Sequence, residues 1–342
     1  MVQKNSEIRV ATAGEALIDM IRGADGRFEP CIGGAVYNLS RALARQSVET
    51  LYLNPLSRDR FGRQLAAGLE ADGVHLADPE PVVQVTSLAV VNVNEAGHPD
   101  YAFYREGVAD RATDAARLTR ACQNAPALQL VCTGALALSP DDASTYLPWL
   151  AAQREAGKLI VVDANLRPSV MPDLPRYRAH VLHTLQYADV IKVSDEDLDN
   201  LAVPGATVVE RAQHLLEHSS ANCVALTLGG EGARLLTRDG QQFAARESVP
   251  LAVVDTVGAG DCFLAGLVTS MLEAGVGAGW GSDAVDASVA QALLQNAVAS
   301  ASLCVQQRGC TPPSREEVRA HVASGRVVFE ADLAILHTKA PA

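Results

Sequence analysis

The chain has 342 residues, of which 48% are hydrophobic, 20% charged and 4% aromatic, values that exclude a disordered or fibrous class. Its 28 Lys and Arg stand against 40 Asp and Glu, a net charge of −12. With no basic run, that balance argues against nucleic acid or an anionic membrane as partner and for a small molecule.

The first residues, MVQKNSEIRV, lack the apolar core of a signal peptide, and no run of about 18 apolar residues follows. A cytoplasmic chain with no membrane contact is expected. Cys31, Cys122, Cys132, Cys223, Cys262, Cys304 and Cys310 are scattered with no C-x-x-C, which reads as reduced, mostly buried thiols. IRVATAG is the first short apolar run. GGAVYNLSRALARQ then carries an apolar stripe at Leu39 and Leu43, as a core helix would, and Asn38 near its start also suits an N-cap. Residues 84–93 and 100–106 flank NEAGHP, whose Gly and Pro mark a turn, so a hairpin is expected there.

Three further runs, LIVVDAN, DVIKVSD and CVALTLGG, are too short for helices and have no polar alternation, as strands buried on both faces require. Residues 141–156 and 208–218 between them have helical spacing. The order implies βαβ units and a parallel sheet covered by helices. Three strands end in a change to polar residues, at Asp163, at Ser194-Asp195-Glu196-Asp197 and at Gly229-Gly230-Glu231-Gly232. Ligands of open α/β sheets sit outside such ends, although Asp and Gly also simply open loops.

The sharpest signal is Val254-Asp255-Thr256-Val257-Gly258-Ala259-Gly260-Asp261-Cys262-Phe263, followed by a helix over about 263–273 that ends at Gly275. A Gly-Ala-Gly turn entering a helix presents free backbone N–H groups at the positive end of the dipole, a ready anion site. Asp261 beside it reads either as a helix cap or as a carboxylate that takes a proton from an acceptor hydroxyl during phosphoryl transfer. A Walker loop, H-E-x-x-H, G-x-S-x-G and G-x-G-x-x-G are all absent.

DTVGAGDCF resembles the C-terminal signature of the ribokinase-like carbohydrate kinases, also called the phosphofructokinase-B family, and residues 33–44 resemble its N-terminal signature. The similarity spans about 10–317. It implies a three-layer α/β/α sandwich with a mainly parallel central sheet. It further implies one domain over 1–342, with a small β-sheet lid from about 14–34 and 84–112. Such kinases transfer the γ-phosphoryl group of ATP to a sugar hydroxyl, need Mg²⁺ and in many cases K⁺, and often dimerise through their lids.

By position, the resemblance makes Asp261 the catalytic base and the N–H groups of Gly258, Ala259 and Gly260 the anion hole. It gives Asp19, Gly33, Gly34, Asn38, Arg105 (from the lid) and Arg167 to the sugar. Thr227, Gly229 and Gly232 would line the nucleotide, and Asp255 with the carbonyls of Val257 and Gly309 would hold a monovalent cation. The family's usual N-x-x-E, which serves the Mg²⁺–phosphate shell, corresponds here to Ser194 and Asp197, a departure. GEALIDM, FYREGVADR and DANLRPSV are most similar to the family's bacterial fructokinases, so fructose 6-phosphate is the expected product. A 2-keto-3-deoxygluconate kinase is the alternative, because Arg105 or Arg167 would suit a sugar carboxylate. A catalytically silent sugar-binding homologue is the second.

Overall fold

The computed structural model describes residues 7–23, 25–93, 99–168, 171, 173–276 and 285–331. The four apolar runs all form strands: β1 (Val10–Ala13), β9 (Leu159–Asp163), β10 (Val190–Ser194) and β11 (Cys223–Thr227). They belong to a sheet that, among the described residues, has ten strands in the order β14-β13-β12-β11-β10-β9-β8-β1-β4-β5. Here β4 is Thr50–Tyr52, β5 His75–Leu76, β8 Leu130–Gly134, β12 Ala233–Thr237, β13 Gln242–Glu247 and β14 Val327–Ala331. From β11 to β5 all neighbours are parallel, whereas β12, β13 and β14 form an antiparallel edge.

Period-two packing accounts for the unbroken hydrophobicity of the central strands. Val161, Val190 and Ala225 face one core with Leu264 and Leu267, while Ile160, Ile191 and Val224 face a second with Trp149 and Tyr177. Side chains alternate across a strand, so a strand covered on both faces needs apolar residues at every position. Helices α1 (Ala35–Arg45), α8 (Ala259–Glu273), α9 (Ala287–Cys304) and α10 (Arg315–Ala323) cover the first face. The second face is covered by α3 (Ala115–Gln123), α4 (Ala143–Glu155), α5 (Leu174–Thr184), α6 (Asp195–Asn200) and α7 (Val208–Glu217). Each fully buried Leu in these layers contributes about 1.5–3 kcal/mol. The result is a three-layer sandwich.

A second sheet, β3-β2-β6-β7, stands apart: β2 is Leu17–Arg22, β3 Phe28–Gly33, β6 Ser87–Val93 and β7 Pro99–Tyr104. It contains the expected hairpin, β6 pairing antiparallel with β7, and the turn at 94–98 lies outside the described residues. A third apolar cluster joins Ile18 of β2 and Val36 and Tyr37 of α1 to Leu65 and Leu69 of α2 (Arg60–Ala71). The small sheet is thereby tied to the helix that follows it.

Candidate active site

The Gly-Ala-Gly turn and Asp261 differ in geometry from the simplest expectation. Helix α8 begins at Ala259, four residues before the expected 263, with Gly258 as its N-cap at φ 78°. That left-handed backbone costs an L-residue about 1–2 kcal/mol, which only glycine avoids. Asp261 is therefore inside the first turn, and its side chain does not cap the helix. It is 7% exposed and its Oδ2 accepts a 3.0 Å hydrogen bond from Asn38 Nδ2. Asn38 is equally no cap: Gly34 holds that place in α1, and Asn38 lies a turn further in, facing Asp261. Among the three turn amides, that of Ala259 already donates to the Thr256 carbonyl at 3.2 Å.

Burial pushes the Asp261 carboxyl up to about 7, and Asp163 adds to the rise, while Asn38, Lys192 and Arg167 oppose it. Desolvation disfavours the ionised form of any carboxyl, so this group is poised to exchange a proton near neutral pH. Of those neighbours, Lys192 was not foreseen, and Asp163 was marked only as a polar strand end. Lys192 of β10 and Asp163 of β9 are register partners, both buried, with Nζ 3.0 Å from Oδ1. Burial draws the Lys192 ammonium down, but Asp163, Asp197 and Asp261 outweigh it and hold it above its ordinary value. Burial raises Asp163 to about 6, and the Lys192 ammonium opposes the rise. A Cβ on Gly260 would stand 3.1 Å from Lys192 Nζ, which places the ammonium against the turn. The sequence signal was available: a lysine inside VIKV, a strand buried on both faces, demands a partner.

From the opposite side come β2 and the start of α1. Asp19 lies on β2, and a Cβ on Gly33 of the neighbouring β3 would overlap its Oδ2. Glycine there leaves the carboxylate its space. Burial raises Asp19 to about 6 and the Arg167 charge opposes this. The Arg167 charge acts on Asp19, Asp163 and Asp261 alike, so all three lie within its electrostatic reach. Gly34 approaches the Glu15 backbone so closely that a Cβ would lie 2.7 Å from its carbonyl oxygen. Glu15 is also buried, accepts the Ala35 N–H at 2.9 Å through Oε1, and is raised by burial to about 7 against the Arg105 charge.

Arg105 follows β7 but turns inward. It lies 3.7 Å from Asp110 and 3.6 Å from Asp142, and Nη1 donates to the Leu136 carbonyl at 3.3 Å. Burial opposes its charge and these two carboxylates, with Glu15, outweigh the burial. Arg105 therefore seats the small sheet on the main one, beside rather than among the Asp19–Asp261 group.

Asp197 faces inward too. With Ser194 it forms a capping box on α6: Ser194 Oγ accepts from the Asp197 amide at 3.0 Å, and Asp197 Oδ2 from the Ser194 amide at 2.9 Å. Its Oδ1 accepts from the Leu166 amide at 2.7 Å. One oxygen fixes the loop that carries Arg167 and the other caps α6. The shorter Asp thus serves the backbone where the family's Glu is expected to face the metal shell.

Thr227 ends β11, its hydroxyl donating to the Val193 carbonyl at 3.4 Å, and Gly229 and Gly232 bound the turn into β12. Asp255 clamps two loops: Oδ1 accepts the Val257 amide at 3.0 Å and Oδ2 the Gly309 amide at 2.9 Å. Asp255, Val257 and Gly309 are thus adjacent although 54 residues separate the first from the last. Asn296, in α9, is bound by Arg315 at 2.7 Å and belongs to a buried polar pair.

The sequence pattern of the pfkB family carbohydrate kinases matches residues 8–317. A fructokinase of Rhizobium leguminosarum bv. trifolii is 34% identical over 267 residues, which is 77% of this chain and 79% of that protein. The crystal structure of a fructokinase from Xylella fastidiosa with bound ATP superposes with a TM-score of 0.81 at 25% identity, covering 94% of this chain and 99% of that one. A fructokinase from Vibrio cholerae O395 holding fructose, ADP and calcium ion gives 0.74 at 26% identity, covering 92% and 99%.

Proposed function

Because the chain belongs to the pfkB family of carbohydrate kinases, we propose that it transfers the γ-phosphoryl group of ATP to fructose, giving fructose 6-phosphate and ADP. The observation that carries the reading is Asp261: a buried carboxyl raised to about 7 in the first turn of a glycine-capped helix, faced by Asn38, Lys192 and Arg167. Its relatives with the names and ligands given above support the choice of fructose and ATP.

In this mechanism Asp261 takes the proton of the sugar hydroxyl as that oxygen attacks the γ-phosphorus. A positioned base of this kind is worth about 10²–10⁴-fold. The Gly258 and Gly260 amides, at the positive end of α8, stabilise the charge that develops on the transferred group. Lys192 and Arg167 offset the same charge, and the Asp163 ion pair fixes where Lys192 stands. Asp19 and Asn38 orient the sugar, with Gly33 and Gly34 as its floor. Thr227, Gly229 and Gly232 line the nucleotide.

Mg²⁺ fits as a passenger on the nucleotide, because it keeps waters and needs few protein ligands. It neutralises phosphate charge when bound. Asp197, whose oxygens accept the Leu166 and Ser194 amides, would serve that ion by positioning the loop beside it. Asp255 with the carbonyls of Val257 and Gly309 suits K⁺. The small sheet serves as the lid, and Phe28, Ile32 and Tyr104, which share one face of it, are exposed, a surface that favours pairing of two lids in a homodimer. All seven cysteines are free and no described helix is long and apolar enough to cross a membrane. Unpaired thiols fit the reducing cytoplasm.

ADP release with Mg·ATP, measured across fructose, 2-keto-3-deoxygluconate, ribose, glucose and adenosine, tests the reading. Fructose should be turned over fastest. Turnover confined to 2-keto-3-deoxygluconate would replace the substrate and make Arg167, beside Asp19, the carboxylate partner.

A further inference from the structure

Cys262, Cys304 and Cys310 are distant in sequence, yet their three sulfurs lie within 4.8 Å of one another. Each belongs to a segment the active site depends on. Cys262 follows Asp261 in α8. Cys304 is the last residue of α9, and its Sγ lies 3.6 Å from the Val257 carbonyl oxygen. Cys310 follows Gly309, and its sulfur packs so closely on Gly258 that a Cβ there would overlap it. The first two are buried and Cys310 is half-buried, which gives the cluster an entrance.

We propose that these three cysteines form a thiolate site for a soft cation of the Zn²⁺ type, and that filling it switches the kinase off. Thiolates select such ions over Mg²⁺ or K⁺. Binding releases the thiol protons to solvent as the three metal–sulfur bonds form. Zinc–thiolate bonds of about 2.3 Å in a tetrahedron hold sulfurs about 3.8 Å apart. Sulfurs up to 4.8 Å apart must close by as much as about an ångström, so the ion draws Cys310 and the first turn of α8 together. That movement disturbs the Gly258 turn and the Asp255–Gly309 clamp at once. A displacement of about 1 Å in a catalytic arrangement can cost about 10²-fold in rate. Among the described residues no other cluster of His, Cys, Asp or Glu has this spacing.

The switching half of the inference rests on the kinase reading, whereas the metal site does not, and two readouts separate them. Titration of the reduced full-length protein with Co²⁺ should raise a thiolate-to-cobalt charge-transfer band that saturates at one equivalent and is discharged by Zn²⁺. Cys310→Ser and Cys304→Ser should each abolish it. Stoichiometric Zn²⁺ should lower fructose-dependent ADP release by about 10²-fold, reversibly with a chelator, while Cys310→Ser keeps its own untreated rate. No band in the wild type, or the same band and inhibition in Cys310→Ser, would overturn the site. A band without inhibition of an active kinase would overturn the switch. A band in a protein that phosphorylates no sugar would uphold the site and remove the kinase reading.

Discussion

Replacing Asp261 by asparagine should leave the protein nearly inactive and yet more stable, and the gain should depend on pH. A carboxyl moved from 3.8 to about 7 by burial carries about 4 kcal/mol of extra cost in its ionised form. The folded pKa is the higher one, so the folded state binds the proton more tightly than the unfolded chain. Wild-type stability is accordingly highest below about pH 4, is lost as pH rises towards about 7, and is level beyond. An asparagine has no such dependence and can still accept from Asn38 Nδ2. The gap between variant and wild type should be about 1 kcal/mol at pH 4.5 and about 4 kcal/mol at pH 8, the latter roughly 5 °C in Tm for a chain of this size. Thermal melts followed by circular dichroism at the two pH values, with sugar-dependent ADP release on the same samples, measure both quantities. Equal gaps at pH 4.5 and 8, or a variant less stable than wild type at pH 8, would refute the argument from buried charge. Turnover within a few-fold of wild type would refute Asp261 as the base.

Other substitutions probe the surrounding groups. Gly33→Ala puts a methyl group on Asp19 Oδ2 and should raise KM for fructose about tenfold or more with little change in Tm; an unchanged KM would separate Asp19 from the sugar. Lys192→Met leaves Asp163 buried and unpaired, at a cost of about 3–5 kcal/mol in denaturant unfolding. Lys192→Met/Asp163→Leu should recover most of that stability without recovering turnover. Arg105→Ala strips Asp110 of its ion-pair partner and leaves Asp142 with Arg111 alone, so it should destabilise by up to a similar amount and raise KM through a loosened lid, to the same extent for acidic and neutral sugars. Asp255→Ala removes the acceptor of both loop amides and should abolish any stimulation of turnover by K⁺, read as equal rates in K⁺ and in tetramethylammonium.

The central sheet was legible because its strands are buried on both faces and hence apolar, a condition that LIVV satisfies residue by residue and that VIKV and VALTL meet apart from Lys192 and Thr227. The antiparallel edge was not. Strands β12 to β14 mix polar and apolar residues, as Gln-Phe-Ala-Ala-Arg-Glu does, and only tertiary pairing decides such segments. The helix after the glycine turn was expected four residues late, because Gly258 supplies the cap that Asp261 also suits by type. Asp261, Asn38, Asp19 and Arg167 could be named from motifs, but their convergence needed the fold. Lys192 and Asp163 carried a readable signal, charge inside apolar strands, whose meaning depends on the one-to-one register of β9 and β10. The inward turns of Arg105 and Asp197 had no such signal, since a side chain's choice between ligand and scaffold is made by neighbours distant in sequence.

The pH dependence of kcat/KM for fructose phosphorylation tests the central claim most directly, because it reads the free enzyme's base during the reaction itself. With Asp261 raised to about 7, the rate constant should fall tenfold per pH unit below that value and level off above it. A profile flat from about pH 5 to pH 9 would contradict the assignment of the proton to Asp261.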